Sequence, residues 1–147
     1  MPPMLRSGSR GTSDRREPAG PKADGPERSR QQVGAAGEAI AASHLEASGL
    51  RVIARGWRCR LGQLDLVCED AGVLVAVEVK ARRGDVFGVP QEAVDARKRA
   101  KLRTLLDAYR LASGRRDQPC RIDVVAVRLD RDLRPQRCEH IRDAVGG

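Results

Sequence analysis

The stretch Val73–Lys80 is apolar without a break until it ends in Glu78-Val79-Lys80, and it follows a second strand-like run, Gln63–Cys68, that carries Asp65. Between them Glu69-Asp70-Ala71-Gly72 has the composition of a turn. An antiparallel hairpin is therefore expected. In an extended chain side chains alternate between faces, so Glu78 and Lys80 project together, and Leu74 and Ala76 share that face. A carboxylate and an amine thus terminate an otherwise apolar surface. Charges at the exposed end of an edge strand are the alternative reading of the same triplet.

Register decides whether Asp65 joins that pair. A two- or four-residue loop centred on Asp70 and Ala71 sets Asp65 opposite Ala76, on the face of Glu78, close enough diagonally to share a cation with it. A three-residue loop ending in Gly72 turns Asp65 to the far face. The sequence permits both.

The remaining chain supplies one domain's worth of elements. Residues 1–31 are rich in Pro, Gly, Ser and Arg and nearly lack large apolar side chains after Leu5, so a disordered basic tail is expected there. Residues 32–147 are expected to form a single domain. Gln32 to Ser48 is Ala-rich and helical, with Gly49 as its stop. Leu50 to Trp57 reads as a strand before the hairpin. Pro90, Glu92 and Asp95 suit the first turn of a long amphipathic helix, whose stripe runs through Val94, Lys98, Leu102, Leu105, Leu106 and Tyr109 towards Gly114. Arg121 to Leu129 alternates as a strand, and a short one is expected near Gln136 to Ile141. The order helix, three strands, helix, strand predicts an α/β fold with a mixed sheet flanked by helices.

Glu38 lies three, four and seven residues before Ala41, Ala42 and Leu45, on the apolar stripe of the first helix. A carboxylate facing a sheet needs a partner. An acid favoured early in a helix by the dipole is the plainer explanation.

Charge narrows the function. The chain carries +8, of which the first 31 residues supply +3 (seven Lys/Arg against four Asp/Glu), leaving +5 on the folded part. A basic domain favours polyanions. Cys59, Cys68, Cys120 and Cys138 lack Cys-x-x-Cys spacing, and His44 and His140 stand alone, so neither zinc nor a disulfide framework is indicated. Reduced thiols point to the cytoplasm. No apolar segment approaches the roughly 20 residues that span a bilayer.

Six segments, in order, resemble the bacterial YraN family: Gly37-Glu38 with Ala41 and Leu45; Gly62 to Val67; Val77 to Arg82; Phe87-Gly88; Ala93-Val94 with Lys98 and Lys101-Leu102; and Ile122 to Val125. That family is similar to the PD-(D/E)XK superfamily of restriction-endonuclease-like folds, close to Holliday junction resolvases. The resemblance implies a metal-dependent, endonuclease-like phosphodiester hydrolase acting on branched or single-stranded nucleic acid. A non-catalytic nucleic-acid-binding accessory protein on the same fold is the alternative. It implies Asp65, Glu78 and the Val79 carbonyl as ligands of Mg²⁺ or Mn²⁺, Lys80 as the catalytic amine, and Glu38 as an acid reaching the same metal directly or through water. Arg82, Lys98 and Lys101 would contact phosphates. The expected partner is nucleic acid, DNA before RNA, with no membrane; a homodimer stays open. One departure stands out: Gln63 occupies the position where the family usually carries Glu before the Leu-Asp-Leu segment. Asp123 is expected to make a structural pair, and Trp57 to pack at a sheet edge.

Overall fold

The computed structural model describes residues 26–84 and 96–143. Its elements run α1 Pro26–Ala47, β1 Arg51–Cys59, β2 Gly62–Asp70, β3 Val73–Arg83, α2 Ala96–Ala112, β4 Cys120–Leu129 and β5 Pro135–Ile141. The first helix begins six residues before the expected Gln32. Pro26 suits a first helical position because its missing N–H has no partner to lose there. Residues 26–31 thus belong to the helix and not to the tail, whose residues 1–25 lie outside the described ones, as does the expected helix start at Pro90, Glu92, Val94 and Asp95.

The hairpin forms, with a two-residue turn one position later than expected. Asp70 pairs with Val73, and Ala71 and Gly72 have φ of 49° and 89°. Two successive left-handed residues give a turn whose twist matches that of the strands. The displaced turn shifts the register by two residues, so that Leu66 meets Val77, and the ladder ends there, one residue short of Asp65 and Glu78. Glu69 and Asp70, expected as turn acids, instead close the strand with ion pairs. Glu69 meets Arg51 and, at 3.0 Å, Arg115, while Asp70 meets Arg121 at 2.8 Å and Arg142 at 3.1 Å.

The strands lie in the order β1-β2-β3-β4-β5, parallel between β3 and β4 and antiparallel elsewhere. A parallel neighbour requires a crossover, and α2 supplies it. Helices cover both faces. Ala41, Ala42 and Leu45 of α1 pack with Leu66, Val75, Val77, Val125 and Val127, whereas Leu102, Leu105, Leu106 and Tyr109 of α2 pack with Leu64, Val67, Leu74, Ala76 and Ile122. Burial on both faces explains why β3 is an unbroken apolar run. Each such Leu or Val contributes about 1.5–3 kcal/mol through removal from water. Trp57 sits on edge strand β1 and meets Tyr109 edge-to-face at 5.3 Å, so its role is packing, as expected.

One close approach ties α1 to the sheet. A Cβ on Gly37 would lie 2.5 Å from the Ala81 Cβ. Ala81 is rooted in the strand and cannot turn aside, so Gly37→Ala should cost about 1–3 kcal/mol despite the better helix propensity of alanine. Ala81→Gly in the same chain should restore most of that loss in a urea melt; no rescue would place the strain elsewhere.

A candidate active site in the fork of the sheet

Pairing between β2 and β3 stops at Leu66 and Val77, although β2 reaches back to Gly62 and β3 continues to Arg83. Beyond that point β2 stays with β1 as far as Gly62 and Cys59, and β3 stays with β4 as far as Arg83 and Leu129. The sheet forks. Alternation also breaks here: Leu64 and Leu66, two residues apart, bury in opposite clusters, so β2 turns about its axis at Asp65. Across the pair Gly56 has φ of 61°, a left-handed residue inside β1 that lets Trp57 follow Leu64 to the α2 side.

Asp65 sits where the strands part. Its Oδ2 accepts a hydrogen bond from the Val79 N–H at 2.9 Å, standing in for the backbone carbonyl that β2 no longer presents. The two polar groups of one strand residue point the same way, which aims the Val79 carbonyl at this flank as well. Glu78 is only 7 % exposed. Its Oε2 lies 3.1 Å from the Lys98 Nζ and 3.7 Å from the Lys80 Nζ. Lys98 reaches it because it precedes Leu102 by one helical turn on the stripe that α2 turns to the sheet.

Glu38 enters from α1. Burial, and then the Glu78 carboxylate, raise its pKa above the ordinary range. Asp65 is pushed up to about 6, first by burial and then by Glu78 and Glu38, against the Val79 N–H and Lys98, which favour its ionised form. Asp65 therefore senses both Glu78 and Glu38, and Glu38 senses Glu78, across the fork. The fork opens into a cleft of 580 Å³ lined by Arg30, Glu38, Asp65, Val79, Lys80 and Arg82.

Most of the residues anticipated from the sequence meet here. Glu38, Asp65, Val79, Lys80 and Arg82 line the cleft, and Glu78 lies beneath it, joined through Lys80. Lys101 stands apart from the cleft lining, with its Cε 3.2 Å from where a Gly62 Cβ would be, on the β1–β2 arm. Lys98, expected at a phosphate, is instead directed at Glu78. Gln63 is tied to its neighbour on β1, accepting from the Arg58 Nη2 at 2.7 Å, and does not line the cleft. Arg30 was hidden from sequence reasoning by its place in a segment that resembles a tail. The Lys98–Glu78 pair had only one signal, a lysine on an apolar stripe.

Among the described residues no three His, Cys, Asp or Glu side chains form a metal cage by themselves. The donors on offer are the carboxylates of Asp65 and Glu78 with the Val79 carbonyl, and Glu38 further out. Oxygen donors of this kind suit a hard divalent cation.

At the other end of the sheet Asp123 is fully buried and holds a structural hub. It pairs with Arg121 at 3.0 Å and His140 at 2.8 Å, and accepts from the Asp143 N–H at 2.8 Å. Burial works against its ionisation, but these three partners together hold its pKa below the usual carboxylate range. Cys68 is also buried, and desolvation pushes its thiol up to about 12, which removes it as a nucleophile.

A five-stranded mixed sheet with a helix on each face, and acids with a lysine where two central strands diverge, is consistent with the restriction-endonuclease-like fold. The chain belongs to Uncharacterised protein family UPF0102, the YraN family, whose signature matches residues 37–127 and so spans every candidate residue named from the sequence. It is 45% identical over 115 residues to a UPF0102 protein of Pelotomaculum thermopropionicum, covering 78% of this chain and 96% of that one. A UPF0102 protein of Symbiobacterium thermophilum is 49% identical over 114 residues, covering 78% and 96%. One from Mycolicibacterium smegmatis is 45% identical over 109 residues, covering 73% and 88%. No helix among the described residues is long and apolar enough to cross a membrane.

Proposed function

We propose that this protein is a metal-dependent phosphodiester hydrolase acting in the cytoplasm on branched or single-stranded nucleic acid, DNA before RNA. The observation that carries the reading is the fork itself, where the Val79 N–H holds Asp65 in a cleft it shares with Glu38 and Lys80, and Glu78 lies in salt-bridge contact with Lys80. Asp65, Glu78 and the Val79 carbonyl would hold Mg²⁺ or Mn²⁺. Such an ion, when bound, supplies Lewis acidity to a phosphate and lowers the pKa of water.

The chain's own groups do the rest. Lys80 orients the attacking water and stabilises the charge that develops on phosphorus-bound oxygens. Glu38, across the cleft on α1, holds a water on that side. Arg82 in the cleft and Lys101 on the opposite arm flank the site and grip the phosphates on either side of the cut. Two copies related by a two-fold axis would present two forks to the two strands of a branched duplex.

A second reading, a nucleic-acid-binding protein without catalysis, is favoured by Lys98 holding Glu78. Melting the protein with Mn²⁺ separates the two. At a hundredfold excess over its dissociation constant the ion should stabilise the wild type by about 2.7 kcal/mol and leave Asp65→Asn unchanged. Cleavage of junction or single-stranded DNA should follow Mn²⁺ in the wild type and vanish in Lys80→Ala, which keeps the metal response. Stabilisation without cleavage selects the second reading, and no response in the wild type eliminates the first.

A further inference from the structure

We propose that Lys98 is a resident cation of the fork, exchanged for the divalent ion on loading and then turned to the substrate phosphate. The inference rests on the metal-site reading above and adds how that site is held before the metal arrives. Lys98 and Lys80 meet the same oxygen of a carboxylate that is almost wholly buried, Glu78 Oε2, and Lys98 makes the shorter contact, 3.1 Å against 3.7 Å. Lys98 also favours the ionised form of Asp65. An ammonium thus stands among the acids that would coordinate the ion.

Competition between cations makes the exchange directional. Glu38, Asp65 and Glu78 already face Lys80 and Lys98, with Arg30 and Arg82 on the cleft wall. A divalent ion added beside Glu78 repels the cations around it, and the one least fixed gives way. Lys98 is the one to leave. Lys80 is rooted two residues from Glu78 on the same strand, whereas Lys98 comes from another element, is 41% exposed and stands at the rim of the site on a flexible four-carbon stem. Leu102, one turn on, stays buried and anchors the helix while the ammonium swings. Metal loading would then both fill the carboxylates and deliver one more cation to the nucleic-acid backbone.

Lys98→Met keeps the stem and removes the charge, and Lys98→Gln is a second variant of the same kind. Calorimetric titration with Mn²⁺ at pH 8 should show binding roughly tenfold tighter in both than in the wild type, the effect of losing a competing ion pair worth about 1.4 kcal/mol. Binding to phosphorothioate-linked junction DNA gives a second readout. The slope of log affinity against log salt should steepen by about one on adding Mn²⁺ to the wild type, as one further phosphate is neutralised, and stay constant in Lys98→Met. Equal Mn²⁺ affinity in wild type and variants, abolished in each by Asp65→Asn, would overturn the exchange while leaving the metal site standing. No Mn²⁺ binding in any of them would overturn both.

Discussion

Asp123→Asn is expected to destabilise the protein by about 3 kcal/mol, because it removes the charge at the centre of a buried network while leaving its partners in place. Asp123 is fully buried, and the Arg121 and His140 side chains that face it are 18% and 9% exposed. An asparagine oxygen can still accept from the Asp143 N–H, and Arg121 keeps Asp70 at 2.8 Å, so the loss falls at the lower end of what breaking a buried pair costs. With a urea dependence of about 1–3 kcal/mol per molar, the midpoint should drop by roughly 1 M or more. A midpoint unchanged by the substitution would show that the hub contributes nothing to stability. The acid limb carries a second signature. Because the folded pKa of Asp123 lies below the ordinary value of 3.8, its stabilisation is complete above that value and is lost as pH falls through the folded pKa. The variant should lack that loss.

Asp65 behaves in the opposite sense. Its pKa rises from 3.8 to about 6 on folding, so between those values the folded chain keeps a proton that the unfolded chain has released. Stability therefore falls as pH rises through this window, and above it the full cost, about 3 kcal/mol, is in place. Below pH 4 the contribution disappears. Asp65→Asn removes the titration but preserves an acceptor for the Val79 N–H, so the metal-free variant should match the wild type at pH 4 and exceed its stability at pH 8 by as much as about 3 kcal/mol. Denaturation at the two pH values reads this directly. A variant less stable than the wild type at pH 8 would mean that the Asp65 carboxylate is a structural asset and not a cost carried for a ligand. A protein that gives up stability at one ionised side chain is retaining that side chain for something other than folding.

The parts of the molecule legible in the sequence are those set by local pattern. The strands around Asp65 and Glu78, a turn between them, and the stripe Leu102, Leu105, Leu106 and Tyr109 are properties of short windows, and each is present in the fold, although β2 loses its alternation at Asp65 and the turn keeps only Ala71 and Gly72. The turn position was one residue off because Ala71 accepts a left-handed conformation that favours glycine, a strain compensated by the pairing of Asp70 with Val73. The edge role of Trp57 and the structural pairing of Asp123 also followed from chemistry that residue type carries with it.

What the sequence by itself determined, then, is which residues have chemistry to offer: Glu38, Asp65, Glu78 and Lys80 stand on elements whose type their own neighbours dictate, while the face of Asp65 stayed open. Only the tertiary structure decided where those elements part. The fork depends on β2 following β1 while β3 follows β4, and on β2 turning about Asp65, a choice made by packing against two different helices. Lys98 reaches Glu78, and His140 reaches Asp123, from elements that no local pattern brings together. Periodicity is a property of neighbours in the chain, but the distance between two charges on different elements is set by how the whole core closes.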